Sequence, residues 1–119
     1  MKKIAVVFSC SPHGNSLGKE GLDFVLSASC LTNNLSLFFI EDGIFQILSN
    51  QDTRGILLKN YSLSFRALSF FNINSFYLCY DSLLERGCFK DTDFILPVNL
   101  LNSKQIRSKL YEFDHILNF

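Results

Sequence analysis

A chain of 119 residues has room for one hydrophobic core, so residues 1–119 are read as a single domain. Eleven Lys and Arg balance eleven Asp and Glu, and no basic run exceeds two residues; the footprint of a phosphate-backbone binder is missing, which excludes strong direct binding of RNA or DNA. No apolar stretch approaches the roughly twenty residues of a membrane span. The hydrophobic fraction of 48% and the thirteen Phe residues hint that some apolar surface is buried against partner proteins.

Met1-Lys2-Lys3 followed by Ile4-Ala5-Val6-Val7-Phe8 imitates a signal peptide. Five apolar residues fall short of the roughly seven to fifteen that a secretory core needs, and Pro12-His13-Gly14 reads as a turn, so residues 3–9 are a first strand and the protein is expected to be cytoplasmic. Residues 10–15 form a loop, and Asn15 or Ser16 caps a helix running to about residue 31 with Leu22, Val25, Leu26 and Ser29 on one face. Residues 35–40 are a continuous apolar strand, Glu41-Asp42-Gly43 turns the chain, and residues 44–48 make a short helix. A polar loop over 49–54 leads to a helix between about 54 and 71, where Leu57, Tyr61, Phe65 and Leu68 keep helical spacing.

Residues 75–80 are the third strand. Asp81 to Gly87 then read as one capped helical turn, since Ser82 and Glu85 have capping-box spacing and Gly87 can take the left-handed conformation that stops a helix. Residues 94–98 are a fourth strand, confined to an edge or an end by Pro97. Asn102 and Gln105 form a second capping box, with Leu101 and Ile106 as its hydrophobic staple and Ile106, Leu110 and Phe113 on the buried face. Residues 115–119 close the sheet as a short fifth strand. Short apolar runs alternating with helical periodicity predict a three-layer α/β fold around a mostly parallel five-stranded sheet.

In a parallel sheet the loops after the strands share one edge, where such folds bind and react. Three segments should therefore converge: residues 9–16, 41–43 and 79–82. Cys79 is the first candidate among them, a thiol at a strand's carboxyl end directly before a helical turn. Helix N-termini favour the thiolate, the form that attacks sulfur and carries persulfide. Asp81 opposes this with a nearby negative charge, and one helical turn has little dipole. His13, in the loop after the first strand, reads either as a polar surface residue or as a base that stabilises a thiolate at Cys79. Cys10 is read first as a buried structural thiol and second as a partner able to resolve a disulfide with Cys79 if their strands are neighbours. Cys30 and Cys88 are read as small buried hydrophobes, and all four cysteines as free thiols in a reducing compartment.

Glu41 and Asp42 are adjacent and point different ways in a turn, so capping the following helix suits them better than paired acid–base work. The loop at residues 9–16 enters a helix N-terminus but lacks the Gly spacing of Walker or Rossmann loops, which leaves a flavin or nucleotide site resting on fold analogy alone. No zinc-ligand spacing occurs among the Cys and His residues, so neither metal nor cofactor is expected.

With these segments in place the chain resembles the DsrE/DsrF-like sulfur-relay family from end to end. The residues that carry the resemblance are Lys3-Ile4-Ala5-Val6-Val7-Phe8 before Pro12-His13-Gly14, Gly18-Lys19-Glu20-Gly21-Leu22-Asp23, and Phe38-Phe39-Ile40-Glu41-Asp42-Gly43-Ile44-Phe45-Gln46. Cys79 with Leu83-Leu84-Glu85-Arg86-Gly87, and the ending Tyr111-Glu112-Phe113-Asp114-His115-Ile116-Leu117-Asn118-Phe119, complete it. The resemblance implies a three-layer DsrE-like (flavodoxin-like) fold and a subunit of a heteromeric sulfurtransferase complex that relays persulfide sulfur for 2-thiolation of the tRNA wobble uridine. It implies TusB-type and TusD-type subunits as partners in a heterohexamer, TusA as upstream donor and TusE as downstream acceptor, with the tRNA as end beneficiary and not a ligand. The family assigns the sulfur-accepting cysteine to the TusD-type subunit, in a strand-Cys-helix segment that Cys79 resembles. A structural, complex-forming role with Cys79 as auxiliary persulfide carrier is therefore implied here, and catalysis through Cys79 is the alternative.

Overall fold

The structure is a computed structural model that describes residues 3–10, 17–30, 32, 34–47, 73–87, 94 and 96–119. In chain order these form strand β1 (Ile4–Phe8), helix α1 (Leu17–Ala28), β2 (Leu35–Phe39), a 3-10 helix (Glu41–Gln46), β3 (Ile73–Cys79), helix α2 (Tyr80–Glu85), β4 (Asn99–Leu101), helix α3 (Ser103–Leu110) and β5 (His115–Asn118). All the strand pairs are parallel, in the order β4-β3-β2-β1-β5.

Strand periodicity assigns each side chain to a face. Val6 and Phe8 of β1, Leu35, Leu37 and Phe39 of β2, and Phe76 and Leu78 of β3 point toward α1, where Leu22, Val25 and Ala28 meet them. Ala5, Val7, Phe38, Tyr77 and Cys79 point the other way and are covered by Ile106 and Leu110 of α3 and by Phe113. Because both faces are covered, β2 is buried at every position, which is why its sequence is a continuous apolar run and not an alternation.

Some elements lie where the residue pattern puts them, and others shift for identifiable reasons. Asn102 closes the expected capping box: its Oδ1 accepts from the Gln105 N–H at 2.8 Å while Gln105 Oε1 accepts from the Asn102 N–H at 2.9 Å. Gly87 adopts φ +76°, the left-handed stop. The strand expected over 94–98 is instead Asn99–Leu101, paired from Tyr77–Asn99 onward, because Pro97 has no N–H to give a ladder. The short helix expected over 44–48 is a 3-10 helix that already starts at Glu41, so Glu41 and Asp42 belong to its first turn and do not cap it from outside. The capping box expected at Ser82 and Glu85 does not form. Helix α2 starts directly at Tyr80 with Cys79 as its N-cap and no side-chain cap bond; the Ser82 hydroxyl accepts instead from the Glu41 N–H at 2.8 Å. Helix α1 ends at Ala28, three residues before the predicted stop, as Cys30 N–H bonds back to Ser27 O in a tighter turn. Cys30 is thus exposed and not buried. The helix expected over 54–71 and the loop over 49–54 lie outside the described residues.

Helix α1 lies close to the sheet at Gly21, where an added Cβ would lie 2.6 Å from the Phe8 ring and 2.9 Å from the Phe119 ring. Phe119 also packs on Phe24 at 6.1 Å between ring centroids, so neither ring has free space to retreat into. Gly21→Ala should lower stability by about 1 kcal/mol, the overpacking cost of about 1–3 kcal/mol exceeding the helix-propensity gain of about 1, read as a fall in the urea midpoint.

Candidate functional site

The carboxyl edge of the sheet collects the ends of β1, β2 and β3, as parallel connectivity requires, and hydrogen bonds join them. Ile40 N–H donates to Phe8 O at 3.0 Å and Gly43 N–H to Ile40 O at 2.8 Å. Gln46, buried to 1% exposure, donates from Nε2 to Cys10 O at 2.9 Å and so fixes the first residue of the loop after β1. Arg86 Nε reaches Asp42 Oδ1 at 2.8 Å, tying the end of α2 to the 3-10 helix. Glu41 sits between them at φ +50°, a left-handed backbone that a non-glycine residue holds only when its surroundings impose it; the Ser82 hydroxyl on its N–H is part of that constraint.

Cys79 stands where the sequence puts it, at the last position of β3, and it is 4% exposed. Its side chain lies on the α3 side of the sheet with Ala5, Val7, Phe38 and Ile106. Beyond the sheet edge the thiol meets the start of α3, with Sγ 3.7 Å from Ser103 Oγ. Ser103 in turn donates its backbone N–H to Asp81 Oδ2 at 2.8 Å. That N–H, then the Ser103 hydroxyl, hold the Asp81 carboxyl below its ordinary value of 3.8 against a small opposing effect of desolvation. The Asp81 charge thus serves the N-terminus of α3, a favourable position for a carboxylate.

Cys10 is half-buried just past β1. It is not set to resolve a disulfide with Cys79, because β2 lies between β1 and β3. Two strand spacings are about 10 Å, beyond the roughly 7 Å between Cα atoms that a disulfide spans. The topological switch falls between β1 and β5, two strands from Cys79. His13 and Cys88 lie outside the described residues. Ser103 and Gln46 are the positions the residue pattern did not single out. Ser103 carried a signal, since it follows the Asn102 cap and must open the helix; Gln46 carried only its place in the stretch 41–46.

Among the described residues no group of three or more His, Cys, Asp or Glu residues is placed to hold a metal ion, and no helix is long and apolar enough to cross a membrane. What the edge offers chemically is one buried thiol beneath a helix N-terminus, flanked by a carboxylate.

The family model for the DsrE/DsrF-like family matches residues 2–119, and the chain belongs to that family. Among curated proteins it is similar to Protein TusC of Buchnera aphidicola subsp. Baizongia pistaciae, 58% identical over 119 residues with all of both chains covered. It is also similar to Protein TusC of Klebsiella pneumoniae subsp. pneumoniae, 42% identical over the same full length. The crystal structure of the ychN protein from E. coli superposes with a TM-score of 0.79, covers 100% of both chains and shares 21% identity, which establishes the α/β fold.

Proposed function

We propose that the chain, acting as one domain over residues 1–119, is a subunit of the TusC kind in a TusBCD heterohexamer, the cytoplasmic complex that relays persulfide sulfur toward 2-thiouridine at the tRNA wobble position. Its role is structural: it shapes the complex with TusB-type and TusD-type subunits, while TusA delivers sulfur to the assembly and TusE takes it away. The observation that carries this reading is the full-length identity of 58% with a Protein TusC. The neutral formal charge agrees with a protein that serves tRNA without holding it.

Within that reading the burial of Cys79 to 4% exposure favours a scaffold over a carrier. A thiolate must reach a donor sulfur to attack it, and Ser103 covers the approach. The alternative, a catalytic persulfide carrier through Cys79, is favoured by the thiol's place at a strand end below the α3 N-terminus. His13 would be its thiolate stabiliser.

The two readings separate on one substitution. In the assembled complex Cys79→Ser should leave sulfur transfer to TusE within about twofold of the parent, a change worth less than about 0.5 kcal/mol in transition-state terms. Loss of transfer with the complex intact would make Cys79 a carrier.

A further inference from the structure

We propose that the first turn of α3 is a latched cover over the Cys79 thiol, with Asp81 as the latch. Three observations carry this. Cys79 is paired with Leu101 of β4 and shares its apolar cluster with Phe38, Ile40, Tyr77 and Ile106, and its sulfur faces Ser103, whose hydroxyl lies 3.7 Å away. Ser103 is itself exposed, so the cover is one residue deep. And the bond that fixes Ser103 to the strand-end segment is a carboxylate on a backbone N–H at 2.8 Å, from Asp81, two residues after the thiol it guards.

The cover has the build of an element that opens locally. Helix α3 has eight residues, of which Ile106 is buried, and Ile106 lies a turn beyond Ser103. Releasing the first turn therefore leaves the apolar anchor of the helix in place, and the Asn102–Gln105 capping box keeps the turn's own shape. Opening costs the bonds of the Ser103 N–H and hydroxyl to Asp81, the contact on sulfur and little buried apolar area, the pattern of low-energy local openings. The latch concerns access to the thiol and holds whether or not Cys79 carries sulfur in the relay.

The test is alkylation of the full-length native chain by iodoacetamide, with the Cys79 peptide followed by mass spectrometry and global stability by urea titration of the same samples. Asp81→Ala removes the acceptor. Ser103→Pro removes the donor N–H together with the hydroxyl, at the first helical position, where proline is well tolerated, and the preceding Asn102 already has the extended backbone (φ −76°, ψ 171°) that a residue before proline requires. Ser103→Ala keeps the N–H and removes the hydroxyl. Both latch-breaking variants should alkylate Cys79 at least about tenfold faster in the absence of urea, as expected when labelling follows the open population, and Ser103→Ala, which keeps the N–H on Asp81 and loses the hydroxyl's smaller share, should rise by clearly less than either.

Unchanged rates in Asp81→Ala and Ser103→Pro would overturn the latch. So would rates that rise only in proportion to lost global stability, or an equal rise in Ser103→Ala, which would make the hydroxyl the cover by itself. Should Ser103→Pro fail to fold, Asp81→Ala decides alone. Because the reagent is a small molecule and no partner protein takes part, the result stands apart from the relay assay with Cys79→Ser.

Discussion

Gly43→Ala should leave the protein unfolded or insoluble, an expected loss of about 4 kcal/mol or more out of the roughly 5–15 kcal/mol that a domain of this size has. A Cβ at this position would lie 1.8 Å from the Phe8 carbonyl oxygen and 2.9 Å from the Ser9 nitrogen, both backbone atoms of a central strand's end that cannot rotate away. The 3-10 helix would have to lift, breaking Ile40 N–H to Phe8 O, unseating the fully buried Ile44 and Ile47 and releasing Gln46 from Cys10. Gly87→Ala is the matching control. It also has a left-handed backbone, but an added Cβ meets nothing within 4 Å, so only the conformational cost of about 1 kcal/mol applies. Urea titrations followed by circular dichroism should separate the two variants; similar midpoints would contradict the close approach of the 3-10 helix to β1.

Phe38→Ala should cost about 3–5 kcal/mol. Phe38 is fully buried at the centre of the face that α3 covers, stacked on Tyr77 at 4.9 Å and edge-on to Phe113 at 5.6 Å between centroids. The cavity would open between the central strand and the segment that follows α3, with aromatic pairing lost on both sides. The midpoint of thermal unfolding should fall by about 10–20 °C. Cys79 packs in the same cluster, so its alkylation should quicken as well, here together with global stability, in contrast to the latch variants. A drop of only a few degrees would mean that α3 does not depend on this face.

Much of this architecture was legible in the residues because it rests on local signals. The apolar runs of β1 and β2, the cap at Asn102 and the stop at Gly87 are each fixed by side chains within a few positions, and they stand where periodicity and turn chemistry put them. The departures come from distant partners. Ser82 has capping-box spacing to Glu85, but the N–H it accepts from belongs to Glu41, brought near by the pairing of β2 with β3. The 3-10 helix begins early because Gly43 fits against Phe8, a contact between segments thirty-five residues apart in sequence that no local pattern encodes. Cys79 was legible as a strand-end thiol. Its cover by Ser103 and the use of Asp81 at the next helix were not, since both depend on where β4 delivers the chain.

The same contrast bears on function. Strand-end placement alone makes Cys79 resemble a sulfur carrier, whereas its burial beneath Ser103 supports the scaffold. Scaffold and carrier separate when the proposed complex is co-purified and exposed to a persulfide donor, the intact mass of each subunit is measured and the added sulfur is mapped by peptide. For a scaffold, the added sulfur should sit on the TusD-type subunit with Cys79 of this chain unmodified; one extra sulfur atom on Cys79 would overturn that role and make the chain a carrier in the relay.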